Sequence, residues 1–177
     1  MKSGKATAMH QPCVYKTNAL QGYRFHTHRN DLIIDRKDSE AVEVIFTVLE
    51  PGQKSPLHDH RDCEQLWYVI EGHGRLLIGQ EREEHLIGPG DVVLTRRNLL
   101  HAVENTGDSI LRYLAVDVFV GNKPPDEPTW DAHVAALCRR HGWIVSIVDV
   151  QYGQSMNALD PATRQTRGAE TGTGPIT

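Results

Sequence analysis

The sequence lacks several residue patterns, and each absence excludes a class of protein. Cysteine occurs only at Cys13, Cys63 and Cys138, and no two of them have the CxxC spacing. An odd number of cysteines without that spacing argues against a disulfide framework and against a zinc site built from thiolates. We therefore expect the three thiols to be reduced.

Long apolar runs and an excess of basic charge are also missing. No stretch approaches the roughly 18 consecutive apolar residues of a membrane-spanning helix, and residues 1–16 lack the apolar core of a secretory signal. The net charge of -4 and the pI near 6.2 provide no basic stripe for a phosphate backbone. We expect a cytoplasmic protein that binds neither membranes nor nucleic acids and whose partner is a small molecule.

What the sequence does contain is enough apolar material for one domain, together with many histidines. The 177 residues are 39% hydrophobic, which suits a single domain with its own core. Histidine occurs ten times, and imidazole is the side chain that most often binds metal ions in proteins. Position must therefore decide which histidines matter.

The pattern from Asp31 to about residue 120 is typical of β-structure. Short runs rich in Val, Ile, Leu, Tyr and Thr alternate with Pro, Gly, Asn and Asp breaks, which predicts an all-β sandwich or barrel. About eight such runs favour a jelly roll or barrel over residues 31–120. Residues 1–30 show no sustained period and are predicted to form an arm that covers the barrel or a neighbouring subunit.

The remainder, residues 121–150, predicts one helix and one strand. Thr129 is a suitable N-cap for a helix that runs to about His141 and ends before Gly142. Its apolar face consists of Trp130, Val134, Leu137 and Cys138. Residues 143–150 form a further strand, either added to a sheet edge or exchanged with a partner. Residues 151–177 are polar and aperiodic, so we expect a disordered tail.

Histidines at three positions follow an ordered spacing. His58 and His60 are two residues apart, so on a strand their rings point to the same face, as a chelating pair requires. Five residues separate the pair from Gly52, and the strand that follows ends at Gly72. A third imidazole and an amide come later, at His101 and Asn105, after Gly90.

These residues resemble the two motifs of the cupin superfamily, in the correct order over residues 52–105. The resemblance implies a double-stranded β-helix, that is, a jelly-roll cupin barrel, with His58, His60 and His101 as metal ligands. Cupins commonly pair through outer sheet faces, so it also implies a homodimer. The second motif's Pro and Gly are Arg96 and Asn98 here, and Asn tolerates the left-handed backbone best after glycine.

The acidic fourth ligand of the first motif has two candidates. The motif places six residues between this ligand and Gly72, which gives Gln65, whereas Glu64 lies within the permitted gap after His60. Neighbouring residues on a strand point to opposite faces, so only one side chain faces inward. We favour Gln65, because the hairpin that follows fixes the strand register, and keep Glu64 as the alternative. A glutamine would leave the ion's full charge available to a substrate.

Residues beside these ligands are candidates for substrate binding. If Gln65 faces inward, so does Trp67, which would supply an aromatic wall at the barrel mouth. Arg96 and Arg97 precede His101 and are candidates to hold a carboxylate at the rim. A second HxH pair, His26 and His28, has no third ligand in view, so we interpret both as surface histidines.

The resemblance implies a divalent-metal protein whose chemistry has several possible forms. The leading hypothesis is an enzyme that acts on a small oxygen-rich metabolite by Lewis-acid isomerase or lyase chemistry. The alternatives are a metal-dependent dioxygenase and a non-catalytic barrel that binds a sugar or carboxylate; a metal-free barrel is the rival to all metal hypotheses. Mn, Fe, Co, Ni and Zn all suit the predicted ligands. No general base is identifiable; Glu64, Tyr68 and Glu71 are candidates by proximity alone.

Overall fold

The computed structural model describes residues 14–152, which form ten strands and one helix. In chain order these are β1 (Ala19–Arg24), β2 (Arg29–Ile34), β3 (Val42–Leu49), β4 (Cys63–Glu71), β5 (Gly74–Ile78), β6 (Glu83–Ile87), β7 (Val92–Thr95), β8 (His101–Asn105), β9 (Leu111–Phe119), α1 (Trp130–His141) and β10 (Ser146–Gln151).

Two antiparallel sheets make the barrel. The larger has seven strands in the order β10-β1-β2-β3-β9-β4-β7, and the smaller has three in the order β6-β5-β8. Their inner faces share one core, to which the large sheet contributes Trp67 and Leu111 and the small sheet contributes Leu76 and Val103. The predicted all-β double-stranded β-helix is confirmed.

Strand register arranges the interior of the large sheet in rows. In one row, which we call the polar row, the paired and buried residues are Glu43 on β3, Asp117 on β9, Gln65 on β4 and Thr95 on β7. Two residues further along the same strands is the apolar row, Ile45, Ala115, Trp67 and Val93. Side chains alternate between the two faces of a strand, so both rows point into the barrel.

The large sheet extends into the region predicted to be an arm. Strand β1 pairs with both β2 and β10, so residues 19–34 are part of the sheet. Strand β1 was not predicted from the sequence because Gly22 interrupts the apolar pattern. That glycine is required by packing, since a Cβ there would lie 2.6 Å from Asp31 Oδ1 and 2.7 Å from Val150 Cγ2.

Helix α1 has the predicted ends and packs on the barrel. The Thr129 hydroxyl accepts a hydrogen bond from the Ala132 amide, and Gly142 ends the helix with a φ of 68°. Trp130 and Val134 are buried in the same core as the barrel residues. The Tyr23 hydroxyl donates to Asp131 Oδ1 at 2.7 Å, which ties the first turn of the helix to β1.

The end of the described chain belongs to the large sheet. Gln151 and Tyr152, which were predicted to be disordered, adjoin the sheet instead: Gln151 belongs to β10, and the Tyr152 amide donates to the Asn18 carbonyl. The rest of the predicted tail lies outside the described residues, as does Cys13. Cys63 and Cys138 are free thiols. Within residues 14–152, no helix has the length and apolar character to cross a membrane.

Candidate metal centre

Three histidines meet at one end of the barrel interior. His58 lies in the connection between β3 and β4 and forms a bridge with His101, the first residue of β8, through two backbone hydrogen bonds of 3.0 and 2.8 Å. The ring centroids are 4.4 Å apart for His58 and His101, 5.0 Å for His58 and His60, and 5.2 Å for His60 and His101. One nitrogen from each ring lies within 4.8 Å of the others, so the three rings suit a single ion.

Hydrogen bonds orient two of these rings. His58 Nδ1 lies 2.8 Å from the Pro56 carbonyl oxygen, and His101 Nδ1 lies 2.9 Å from the Leu99 carbonyl oxygen. A carbonyl oxygen only accepts, so Nδ1 carries the proton in both rings and Nε2 keeps its lone pair. Metal-binding histidines are commonly held in this way.

Two ring nitrogens of this centre lack a binding partner. Nε2 of His60 and Nε2 of His101 are buried and have no hydrogen-bond partner among the described residues. A buried acceptor without a partner costs about 1–3 kcal/mol. A bound cation would satisfy both atoms at once, so the residues present fit a metal ion.

Burial keeps the three imidazoles neutral at physiological pH. It lowers the pKa of His58 below its ordinary value, and it lowers the pKa of His60 and of His101 to about 3, helped in both by the proximity of His58. The neutral ring is the form that binds a metal ion. No proton therefore has to leave the site at neutral pH.

The structure shows which of the two candidate fourth ligands points into the barrel. Gln65 is buried on the inner face of β4, whereas Glu64 is half-buried on the opposite face. The Gln65 amide oxygen accepts from Trp67 Nε1, and its nitrogen donates to Asp117 Oδ1 at 2.6 Å. An indole N–H only donates, which fixes the orientation of the amide. The ligand role of Gln65 stays a prediction.

The predicted substrate-binding residues differ in their surroundings. Trp67 is fully buried, with its ring centroid 5.6 Å from that of His101 and 4.6 Å from that of Tyr113, on which it stacks. Arg96 and Arg97 are exposed in the turn before β8, and Arg97 Nε donates to the Arg61 carbonyl at 2.8 Å. Their substrate contacts stay predictions.

The turn before His101 accommodates the predicted departure from the motif. Asn98 has a φ of 59°, so asparagine does take the left-handed conformation where the motif has glycine. In the second HxH pair, His28 is hydrogen-bonded to Thr27 Oγ1 and Asn30 Nδ2 rather than joined to the three-histidine cluster.

Sequence reasoning missed a pair of carboxyl groups that adjoins Gln65. Glu43 and Asp117 face each other across β3 and β9, and both are buried. Burial and the nearby Asp117 raise the pKa of Glu43 to about 7 against the opposing charge of Arg36, which binds it through two hydrogen bonds. The available signal was parity: Glu43 shares its strand face with Ile45, and Asp117 shares its face with Ala115.

A histidine on α1 forms a second missed feature. His133 Nδ1 lies 2.6 Å from Glu127 Oε2, and Arg36 Nη1 binds the same oxygen at 3.3 Å. The hydrogen bond from His133 holds the pKa of Glu127 below its usual range. Burial is the main cause that lowers the pKa of His60, with smaller contributions from His58 and His133. With Nδ1 engaged, Nε2 is the nitrogen of His133 that remains for a ligand.

Comparison with known proteins agrees with this geometry. Residues 45–117 match the family model described as Cupin domain. A 72-residue stretch is 32% identical to the oxalate-binding protein of Thermotoga maritima, covering 41% of this chain and 58% of that protein. A 54-residue stretch is 35% identical to auxin-binding protein 5 of Zea mays, covering 30% of this chain and 35% of that protein. The chain thus spans about half the length, or less, of the curated relatives it matches.

Among solved structures, the crystal structure of a predicted oxalate decarboxylase from Thermotoga maritima aligns with a TM-score of 0.55 and 22% identity, over 60% of this chain and 99% of that chain. This likeness shows the fold. The fold and the clustered imidazoles define a double-stranded β-helix barrel with a histidine constellation suited to a metal. The matched segment contains the whole constellation, so residues 45–117 are similar to the cupin domain in both sequence and fold.

Proposed function

We propose that this protein is a divalent-metal cupin that acts on a small carboxylate-containing metabolite by Lewis-acid isomerase or lyase chemistry. The observation that carries the proposal is the pair of buried Nε2 atoms, on His60 and His101, that have no partner among the described residues. The name of the similar oxalate-binding protein supports a small dicarboxylate as the first ligand to test.

The residues around the centre have separate roles in this proposal. His58, His60 and His101 hold the ion, Gln65 is its fourth ligand, and Mn, Fe, Co, Ni and Zn all suit this donor set. A bound divalent ion would polarise a carbonyl or carboxylate oxygen of the substrate. Trp67 forms the apolar wall, while Arg96 and Arg97 attract the carboxylate at the rim.

Proton transfer in this proposal falls to His133. Its Nδ1 is held by Glu127, which leaves Nε2 to exchange a proton with the substrate, the usual arrangement of a histidine base with an orienting carboxylate. Glu127 is a positioning residue, fixed in turn by the buried Arg36. This assignment adds a group that the sequence alone did not suggest.

Elemental analysis tests the metal. Tag-free protein is expected to contain one divalent transition-metal ion per chain, and a variant with His58→Ala and His101→Ala is expected to contain none. His85→Ala, a change at an exposed histidine on β6, is the matched control and should keep the metal. If the parent takes up no metal even after soaking with divalent ions, the proposal is wrong.

Calorimetry and product analysis with oxalate then test the substrate class. Binding that requires metal, followed by release of carbon dioxide, would support the lyase form. The non-catalytic form has a specific observation in its favour, since both relatives described above are named for binding. Metal-dependent binding without turnover would select it, and oxygen consumption would select the dioxygenase alternative.

The homodimer stays a proposal, with support from the outer face of the large sheet. Exposed apolar side chains pair across β4 and β7, Leu66 with Leu94 and Tyr68 with Val92, at 39–63% exposure. A second copy would cover this face. Light scattering is expected to show a dimer that Leu66→Lys with Leu94→Lys converts to a monomer. The cytoplasmic location also stays a prediction.

A further inference from the structure

A groove of about 630 Å³ lies outside the barrel, against the outer face of the small sheet. Its floor is apolar and consists of Leu57, Leu77 and Ala102. Leu77 and Ala102 are cross-strand partners whose neighbours Leu76 and Val103 point into the core, so this pair points outward. The volume falls in the range of about 300–1,000 Å³ that small-molecule sites occupy.

The rim of the groove is basic. Its ionisable side chains are His26, Lys54, Arg82 and His141, and no carboxylate lines the groove within residues 14–152. The carboxylate of Glu104 lies 3.9 Å from the Lys54 ammonium, but Arg75 binds it more closely, at 2.9 Å. A basic rim in a protein of net charge -4 favours an anionic ligand.

Arg82 occupies a backbone conformation that suits glycine better. Its φ is 54°, and its amide donates to the Gly79 carbonyl at 3.2 Å in the turn between β5 and β6. A side chain in the left-handed region costs roughly 1–2 kcal/mol. The strain of an arginine at this turn position suggests that its guanidinium has a functional role. The residue lines the groove.

An aromatic platform closes the side of the groove near the end of α1. The rings of His141 and Trp143 stack with centroids 4.7 Å apart, and Trp143 also contacts Phe25 edge-on at 5.8 Å. Flat aromatic faces beside cationic groups bind planar or aliphatic bodies that end in an anion.

We propose that this groove is a second binding site, separate from the three histidines, for a small molecule with one anionic group on an apolar body. The floor takes the body, and Arg82 and Lys54 take the anion. The two sites share a wall, because Pro56 lines the groove while its carbonyl accepts the hydrogen bond from His58. The proposal does not depend on the proposed function, and its test must separate the sites.

Fluorine NMR on the full-length protein provides that test. The probes are 4-(trifluoromethyl)benzoate, which has both features, 4-(trifluoromethyl)benzyl alcohol, which lacks the charge, and trifluoroacetate, which lacks the apolar body. Saturable binding is expected for the benzoate, with affinity about tenfold higher than for either other probe. Equal affinities, or no saturable binding of the benzoate, would overturn the proposal.

Variants locate the bound probe. Arg82→Gly suits the local φ, so the protein should fold, and it is expected to weaken benzoate binding about tenfold; Lys54→Gln should act in the same direction. Arg139→Gln, a change at an exposed arginine outside the groove, is the control and should leave the affinity unchanged. His60→Ala removes a metal ligand and should also leave it unchanged. Loss of binding in His60→Ala with full binding in Arg82→Gly would place the probe at the histidines and refute the groove site.

Discussion

The polar row and the apolar row come from the same four strands, are equally buried and stand two residues apart, yet they differ in chemistry. The apolar row needs only close packing, because dispersion and water exclusion act without direction. Each member of the polar row needs a specific partner: Arg36 for Glu43, and Gln65 for Asp117. The apolar row therefore supplies stability, while the polar row holds charged and hydrogen-bonding groups in the barrel interior at some cost in stability.

The largest expected effect comes from emptying the apolar row. Trp67→Ala should lower the free energy of unfolding by about 3–5 kcal/mol, because it leaves a cavity and removes the indole donor to Gln65. Urea denaturation measures the loss. Leu86→Ala, at a leucine that is 84% exposed on β6, should change stability by less than about 0.5 kcal/mol. A similar loss in both variants would show that the row is not the source of stability.

Removing the cation that serves the polar row should rank next. Arg36→Met leaves Glu43 buried without its arginine and leaves Glu127 with Arg140 as its only arginine. We expect a loss of about 3 kcal/mol, limited because Glu43 can take up a proton. The neighbouring Lys37→Met removes an exposed pair with Asp35 and should cost under about 0.5 kcal/mol. Urea denaturation measures both variants, and equal losses of stability in Arg36→Met and Lys37→Met would contradict the expectation.

Adding charge to the polar row should have a smaller effect that depends on metal. Gln65→Glu removes the donor to Asp117 and brings two carboxylates together, so the metal-free protein should lose roughly 2 kcal/mol. If residue 65 binds the ion, thermal melts with saturating metal should recover that loss. Glu64→Gln, on the other face of β4, is the control: it should show neither the loss of stability without metal nor the recovery with metal. Metal retention that depends on Glu64 instead would favour the alternative ligand.

Per pH unit, the smallest expected effect is a difference in pH dependence. The pKa of Glu43 is about 7 in the folded protein and near 4.5 when unfolded, so the folded state binds the extra proton between these values. Stability of the parent relative to Glu43→Gln should therefore fall as pH rises from 4.5 to 7, with a slope of at most about 1.4 kcal/mol per pH unit.

The three histidines have the opposite effect on the pH dependence of stability. Because parent and variant share this effect, it cancels in their difference. Their pKa values are lowered from 6.5, to about 3 for His60 and His101, so both proteins lose stability as pH falls below 6.5. Only the difference between parent and variant, from urea denaturation at several pH values, reports Glu43. A flat or rising difference would mean that Glu43 is ionised in the folded protein throughout this range.

Much of the fold was predictable because it follows from local pattern. Period-two alternation located β3, β4 and β9, and the cap residues Thr129 and Gly142 gave the helix ends. The strand parity that placed Gln65 inward and Glu64 outward is confirmed. Strand β1 was missed because Gly22 breaks the alternation, and its reason for being glycine is the approach of Asp31 and Val150 from neighbouring strands.

The sequence by itself determined the all-β class and the helix, since these depend on local spacing, and the resemblance to the two cupin motifs indicated the three histidines. Only the tertiary structure decided which residues distant in sequence meet: Glu43 with Asp117, Arg36 with Glu127, and Trp130 of α1 with the barrel core. The physical reason is that cross-strand register and sheet closure depend on the packing of the whole core. A charged residue within one strand gives no indication of the partner, far away in the chain, that makes its burial tolerable.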